Sequence, residues 1–158
     1  MPTPHETRDS DQVRSAFMTL TAGLSPAHDR ARLLSNPAEA EVVGQALADV
    51  IRDRQVDTIA SWESPENGVL AHVIARRLTA TSVCATEVAG ILEFTSGLRT
   101  GARVALVSDA FRTENELRGL LGLVNARGSE VVAVAALMTT PVLRAYAADG
   151  GTVETVDG

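Results

Sequence analysis

An α/β fold, with a mainly parallel five-stranded sheet flanked by helices, is predicted by two features of the sequence. Apolar runs rich in β-branched residues alternate with segments whose apolar residues recur at helical spacing. Prolines also follow good N-capping residues at three places, where they favour the start of a helix; these places are Asn36-Pro37, Ser64-Pro65 and Thr140-Pro141. Strands that alternate with helices favour a parallel sheet with ligands at the carboxyl ends of its strands.

The elements follow one another in a regular order along the chain. The first proline-marked helix, "NPAEAEVVGQALADVIRDRQ", precedes the strand "VDTIAS" and the helix "ENGVLAHVIARRLT". The weaker strands "SVCAT" and "ILEF" are predicted to pair as a hairpin across "EVAG". The strand "RVALVS" leads to the helix "ENELRGLLGLVNARG", which Gly128 ends, and then to the most apolar strand, "EVVAVAALM". A final helix, "PVLRAYAAD", and a strand, "TVETV", complete the order.

Length, charge and composition narrow the class of protein. The 158 residues, 45% of them hydrophobic, suffice for one domain spanning 1–158, of which residues 1–8 are predicted to be frayed. The formal charge of −6 argues against a nucleic-acid partner, since binding to a phosphate backbone needs a basic face. Neither a signal-like N-terminus nor a run of about 18 apolar residues occurs, which predicts a cytoplasmic protein without a membrane partner.

The order of segments resembles a known family. The stretches "FMTLTAGLSPAHDRARLLSNP", "VDTIAS", "NGVLAHVIARRL", "RVALVSDAFRTENEL" and "RGSEVVAVAALM" resemble type I phosphoribosyltransferases, and orotate phosphoribosyltransferases in particular, over roughly residues 17–140. The resemblance implies a small N-terminal hood, a homodimer and a site for 5-phosphoribosyl 1-diphosphate at the carboxyl ends of the strands.

The strand–turn–helix motif of this family departs from its usual pattern here. The family motif has two acids, two hydrophobics and then Thr-Thr-Gly-Gly-Thr/Ser, where the acids hold the ribose and the glycine-rich turn exposes N–H groups to the 5-phosphate. Two of the seven signature positions match this pattern. The matched positions, in chain order, are Ser108, Asp109, Arg112, Thr113, Glu114, Asn115 and Glu116. The sequence keeps the strand–turn–helix pattern, but most of the residue types that bind the ribose and the 5-phosphate are replaced.

The other family loops also differ from their usual composition. The small pyrophosphate loop corresponds to "SWESPENG", which carries Trp62, Glu63, Ser64 and Glu66. The catalytic lysine near the hood corresponds to Leu24, and His28 lies where the hood begins. The mobile loop corresponds to "ATEVAGIL", which has no basic residue, and all 14 basic residues of the chain are Arg. The resemblance therefore implies a site without the cations that neutralise a diphosphate.

Two interpretations of the acidic residues stay open at this stage. Five carboxylates could form one cluster that binds an amine, a guanidinium or a divalent cation; they are Glu63, Glu66, Asp109, Glu114 and Glu116. Alternatively, Thr113 with Glu116 forms a capping box and Glu66 complements a helix dipole, without any ligand. Trp62 is interpreted as filling the former pyrophosphate space.

The favoured functional hypothesis is a degenerate orotate phosphoribosyltransferase-like protein, a pseudoenzyme that binds a small molecule or a protein partner in an accessory or regulatory role. The alternative is a repurposed enzyme of a specialised biosynthetic pathway that uses the acidic crevice at the strand ends. A divergent but active orotate phosphoribosyltransferase is the least favoured. No catalytic residue is assigned, and no cofactor beyond a possible divalent cation is expected.

Overall fold

The computed structural model describes Met1 and residues 4–158. Its helices are α1 (Pro4–Thr21), α2 (Pro37–Ile51), α3 (Pro65–Leu78), α4 (Glu114–Ala126) and α5 (Pro141–Ala148). Its strands are β1 (Thr58–Trp62), β2 (Thr81–Val88), β3 (Ile91–Phe94), β4 (Arg103–Ser108), β5 (Glu130–Ala136) and β6 (Val153–Thr155). Within the described ranges, no helix is long and apolar enough to span a membrane.

The strands form one sheet in the order β3-β2-β1-β4-β5-β6. All neighbouring pairs are parallel except β2 with β3, which form the predicted antiparallel hairpin. The predicted count of five strands was one too low, although each of the six strands overlaps a segment that the sequence identifies as a strand. From β1 the following strands are added toward one edge of the sheet, and from β4 they are added toward the other edge. The switch point, where the strand order reverses, therefore lies between β1 and β4.

Helices cover both faces of the sheet, as the fully apolar strands require. On β4, successive side chains alternate between the two cores: Val104 and Leu106 pack with α4 and α5, whereas Ala105 and Val107 pack with α1, α2 and α3. Helices α2 and α3 lie in close contact at Gly44, where an added Cβ would lie 2.5 Å from a methyl carbon of Val73.

Local capping explains where three of the helices begin. The side chains of Ser64, Thr113 and Thr140 each accept a hydrogen bond from a backbone N–H in the first turn of α3, α4 and α5, respectively. Asn36 makes no such bond at α2, because its side-chain amide donates to the Arg32 carbonyl instead. Proline at the first position therefore marks the start of α2 without a side-chain cap.

The N-terminal hood consists of α1 and the segment 22–36 that follows it. Helix α1 packs on α2. Segment 22–36 crosses the carboxyl end of β4, and Ala31 and Leu33 are buried there. Of the segment 1–8 predicted to fray, residues 2–3 lie outside the described residues and residues 4–8 lie in α1. The hood thus lies against the end of the sheet where a ligand is expected.

Candidate functional site

An open cleft of about 680 Å³ lies at the carboxyl ends of β1, β2 and β4, beside the switch point. Many of the predicted site residues line it, namely Trp62, Glu63, Ser108, Arg112, Thr113, Asn115 and Glu116. Other predicted residues do not line it, namely Ser64, Glu66, Asp109, Glu114, Leu24 and His28. The volume lies within the range of small-molecule sites.

Asp109, which directly follows β4, is held in a buried ion pair. Its side chain is fully buried, and the guanidinium of Arg112 is 10% exposed. Arg112 Nη1 donates to Asp109 Oδ1 at 3.0 Å and Nη2 donates to Oδ2 at 2.8 Å, so the contact is bidentate. The backbone N–H of Ala31 donates to Oδ2 at 3.0 Å. Both carboxylate oxygens of Asp109 are therefore bound within the protein.

The same arginine connects the strand end to the hood. Arg112 Nη2 also donates to the Asp29 carbonyl, and Nη1 donates to the Ala110 carbonyl. With the Ala31–Asp109 hydrogen bond, these contacts fix segment 22–36 over the carboxyl end of β4. A guanidinium can do this because its donors point in several directions in one plane.

The protonation of this pair follows from its contacts. Burial alone raises the pKa of Asp109, but the hydrogen bonds from Arg112 and from the Ala31 N–H outweigh it, and the net pKa lies below the ordinary value. The hydrogen bond to Asp109 raises the pKa of Arg112. Both groups stay charged at neutral pH.

We expect the free energy of unfolding to fall as the pH drops below about 4, the ordinary pKa range of Asp. The folded-state pKa of Asp109 lies below its unfolded value, so its stabilisation is present above the unfolded pKa and is lost as the pH falls through the folded one. Urea unfolding at a series of pH values measures how the free energy of unfolding depends on pH. In a variant with Asp109→Leu and Arg112→Leu, stability should fall less over the same interval, and an equal fall in both proteins would contradict the assignment.

The turn before α4 binds its own carboxylate. Glu116 Oε2 accepts from the Arg112 N–H at 2.7 Å and from the Thr113 N–H at 3.3 Å, while Thr113 Oγ1 accepts from the Glu116 N–H. This reciprocal arrangement is the predicted capping box. Backbone N–H groups of the turn thus contact a carboxylate of the same chain.

Ser108 and Asn67 form a buried polar layer beneath the cleft. Ser108 Oγ donates to the Ala110 carbonyl at 2.9 Å and to Asn67 Oδ1 at 3.3 Å. Asn67 Oδ1 also accepts from the Asp109 N–H, and its amide donates to the Trp62 carbonyl. Asn67 was missed in the sequence; the only signal was its position in the first turn of α3, three residues after the Ser64 cap.

Trp62 forms a wall of the cleft, which stays open beside it, and its interpretation as filling the former pyrophosphate space stays a prediction. Its indole Nε1 donates to the Glu116 carbonyl at 2.8 Å, so the ring lies against the start of α4. A Cβ added at Gly119 would lie 2.9 Å from the ring. The ring can approach α4 this closely because Gly119 has no side chain.

Of the two interpretations of the acidic residues, the structure does not show the single cluster of five carboxylates. Asp109 is paired with Arg112, Glu116 binds the turn, and Glu114 forms an ion pair with Arg118 on the exposed face of α4. Glu66 lies outside the cleft. Across Met1 and residues 6–158, whose side chains the structure describes, no three His, Cys, Asp or Glu side chains are arranged to hold a metal ion.

Comparison with known proteins places the chain in a family, although no protein-family model matches it. The orotate phosphoribosyltransferase of Thermotoga petrophila is 30% identical over 112 residues, which cover 68% of this chain and 58% of that protein. The orotate phosphoribosyltransferase of Caldicellulosiruptor saccharolyticus is 27% identical over 83% of this chain and 70% of that protein. The chain belongs to the type I phosphoribosyltransferase family.

A solved structure has the fold of this family. The adenine phosphoribosyltransferase of Saccharomyces cerevisiae, solved with an imino-altritol bisphosphate and adenine, superposes with a TM-score of 0.72 at 15% identity. The match covers 93% of this chain and 99% of that one. The chain spans about 58% of the length of the first curated relatives it matches.

The predicted hood residues lie apart from the cleft. Leu24, which the resemblance matches to a catalytic lysine of the family, is half-buried in segment 22–36, and His28 is exposed there; the match itself stays a prediction. The predicted counterpart of the mobile loop is the β2–β3 hairpin, whose tight turn at Ala89 and Gly90 has positive φ at both residues, 50° and 78°. Leu92 on this hairpin lines the cleft.

Proposed function

We propose that this family member does not transfer phosphoribosyl groups and that it binds a small molecule or a protein partner in an accessory or regulatory role. The Asp109–Arg112 ion pair carries the proposal. Asp109 is the one acid retained from the motif that binds the ribose hydroxyls in the family, and both of its oxygens are bound to groups of the same chain. A ribose would have to break a buried bidentate contact to reach it.

The turn before α4 supports the same proposal for the phosphate. In the family this turn offers N–H groups to the 5-phosphate, whereas here Glu116 already accepts from the Arg112 and Thr113 N–H groups. A phosphate entering the turn would meet this negative charge, and like charges about 4 Å apart repel by about 1 kcal/mol even in bulk water. The sequence contains no lysine to neutralise a diphosphate.

The second candidate is an enzyme with a different substrate. The open cleft of about 680 Å³ favours it, because a cleft of this volume at the carboxyl ends of the strands can hold a small-molecule substrate. The homodimer and the cytoplasmic location implied by the sequence stay predictions for either function.

We expect no measurable binding of 5-phosphoribosyl 1-diphosphate with magnesium in calorimetry, and no orotate consumption above a blank without protein. The physical reason is that Asp109, the acid that would bind the ribose, already binds Arg112 and the Ala31 N–H. Two N–H groups of the turn that would bind the phosphate already donate to Glu116. An orotate phosphoribosyltransferase measured under the same conditions is the positive control. Micromolar binding together with turnover would overturn the proposal.

A further inference from the structure

Some of the charged side chains that line the cleft have a partner within the described part of the protein, and others have none. The six that line it are Arg30, Arg112, Arg118, Glu63, Glu87 and Glu116. All three arginines form ion pairs with carboxylates, and Glu116 binds backbone N–H groups. Neither Glu63 nor Glu87 forms an ion pair with any residue in the part of the chain that the structure describes. Two carboxylates thus remain available to a ligand.

These two carboxylates flank an apolar wall. A Cβ added at Gly119 of α4 would lie 2.9 Å from the Trp62 ring and 3.3 Å from Leu92, so both side chains pack over this glycine. Glu63 follows Trp62 at the end of β1, and Glu87 is the cross-strand partner of Leu92 in the hairpin. Each carboxylate is therefore adjacent to one member of the wall.

Two of the basic groups, Arg30 and Arg112, lie in or near segment 22–36, and the third, Arg118, is paired with Glu114 on α4. Arg30 is 46% exposed and lies 3.6 Å from Asp109 Oδ1, an oxygen that already accepts from Arg112. Among the described residues, the two unpaired charges of the cleft are thus both negative and lie beside the aromatic wall, whereas Arg30 and Arg112 lie beside the hood. A ligand with a cation next to an aromatic ring matches the first of these two sides.

We propose that the cleft binds an organic cation, a protonated amine carried on an aromatic body. The ring packs against Trp62 and Leu92, and the ammonium group lies between Glu63 and Glu87. Both the aromatic stacking and the attraction of a cation to the indole face favour this arrangement. The inference rests on the proposed function, because a bound sugar diphosphate would occupy the same cleft.

Three probes with the same phenyl ring and different charges test the proposal: phenethylamine, phenylalanine and 3-phenylpropionate. Trp62 is the only tryptophan of the chain, so its fluorescence reports on the cleft directly, and calorimetry provides a second measurement. We expect phenethylamine to bind about tenfold more tightly than 3-phenylpropionate, as two exposed carboxylates allow. Phenylalanine should lie between them.

Variants separate a specific site from general charge attraction. The combined substitution Glu63→Gln and Glu87→Gln should abolish the preference for the amine. Glu93→Gln removes an exposed charge from the same hairpin outside the cleft lining, and it should keep the preference. Overturning results are equal or tighter binding of 3-phenylpropionate, an unchanged preference in the double variant, or no calorimetric binding of phenethylamine. None of these bears on phosphoribosyl transfer, which is decided by the separate assay with 5-phosphoribosyl 1-diphosphate.

Discussion

Replacing Asp109 by Asn is expected to lower the free energy of unfolding by about 3–5 kcal/mol, because it leaves the nearly buried Arg112 guanidinium without a counter-charge. Asn has the shape of Asp, yet one of its two terminal atoms becomes an NH₂ donor. That donor would face either Arg112 or the Ala31 N–H, which are donors themselves. Urea unfolding monitored by circular dichroism measures the loss.

Two further variants show whether burial is the cause. Asp49 pairs with Arg52 and Arg77 on the surface, where its side chain is 47% exposed, so Asp49→Asn should cost less than about 1 kcal/mol. Replacing Asp109 and Arg112 together by Leu should restore much of the stability lost in Asp109→Asn, since no buried charge remains. Equal losses at Asp49 and Asp109 would refute the buried-pair explanation.

The second large effect is expected in the turn before α4, where Glu114→Gly, Asn115→Gly and Glu116→Thr together should raise the affinity for ribose 5-phosphate about a hundredfold. These changes remove two carboxylates and release the N–H groups of Arg112 and Thr113 that Glu116 now binds. Calorimetry with ribose 5-phosphate measures the gain.

The matched control is the variant with Glu114→Gly and Asn115→Gly that keeps Glu116. It has the same glycines but retains the internal carboxylate, and it should gain little affinity. Similar gains in both variants would show that Glu116 does not block the turn. The triple variant should still fail to consume orotate, because the chain has no lysine to act on the leaving diphosphate.

The structure also changes how such a restoration has to be designed. The family motif would suggest Ser108→Asp and Arg112→Thr as well. Removing Arg112 would leave Asp109 buried without its bidentate partner, and a second acid at Ser108 would add charge to the buried layer with Asn67. The full motif is therefore expected to unfold the protein, whereas the triple variant keeps the ion pair.

Local signals in the sequence were sufficient for most of the fold. Strands followed from β-branched apolar runs, and the caps at Ser64, Thr113 and Thr140 followed from residue types one turn apart, because both depend on interactions within a few residues. Asn36 was the exception: its side chain turned to the Arg32 carbonyl, which lies outside the helix. The resemblance correctly predicted the family, and its assignment of a ligand site to the strand ends stays a prediction.

The internal contacts of the site could not be predicted in the same way. The bond from Ala31 to Asp109 joins residues 78 positions apart, and it exists only because the hood crosses the end of β4. The carboxylates of Glu114 and Glu116 are two residues apart in sequence, yet one lies on the helix surface and the other in the turn. Which way each side chain points is decided by tertiary packing.

The strand order has a consequence for how such a protein can change over evolutionary time. The chain leaves β1 and β4 toward opposite edges of the sheet, and the loops that follow them separate and leave a gap between them. This gap is set by the backbone topology, so substitutions at exposed lining residues such as Glu63, Glu87 or Asn115 alter its lining without closing it. A protein that loses the ancestral reaction therefore keeps the cleft. Selection for a new ligand then needs to change only a few of the side chains that line it.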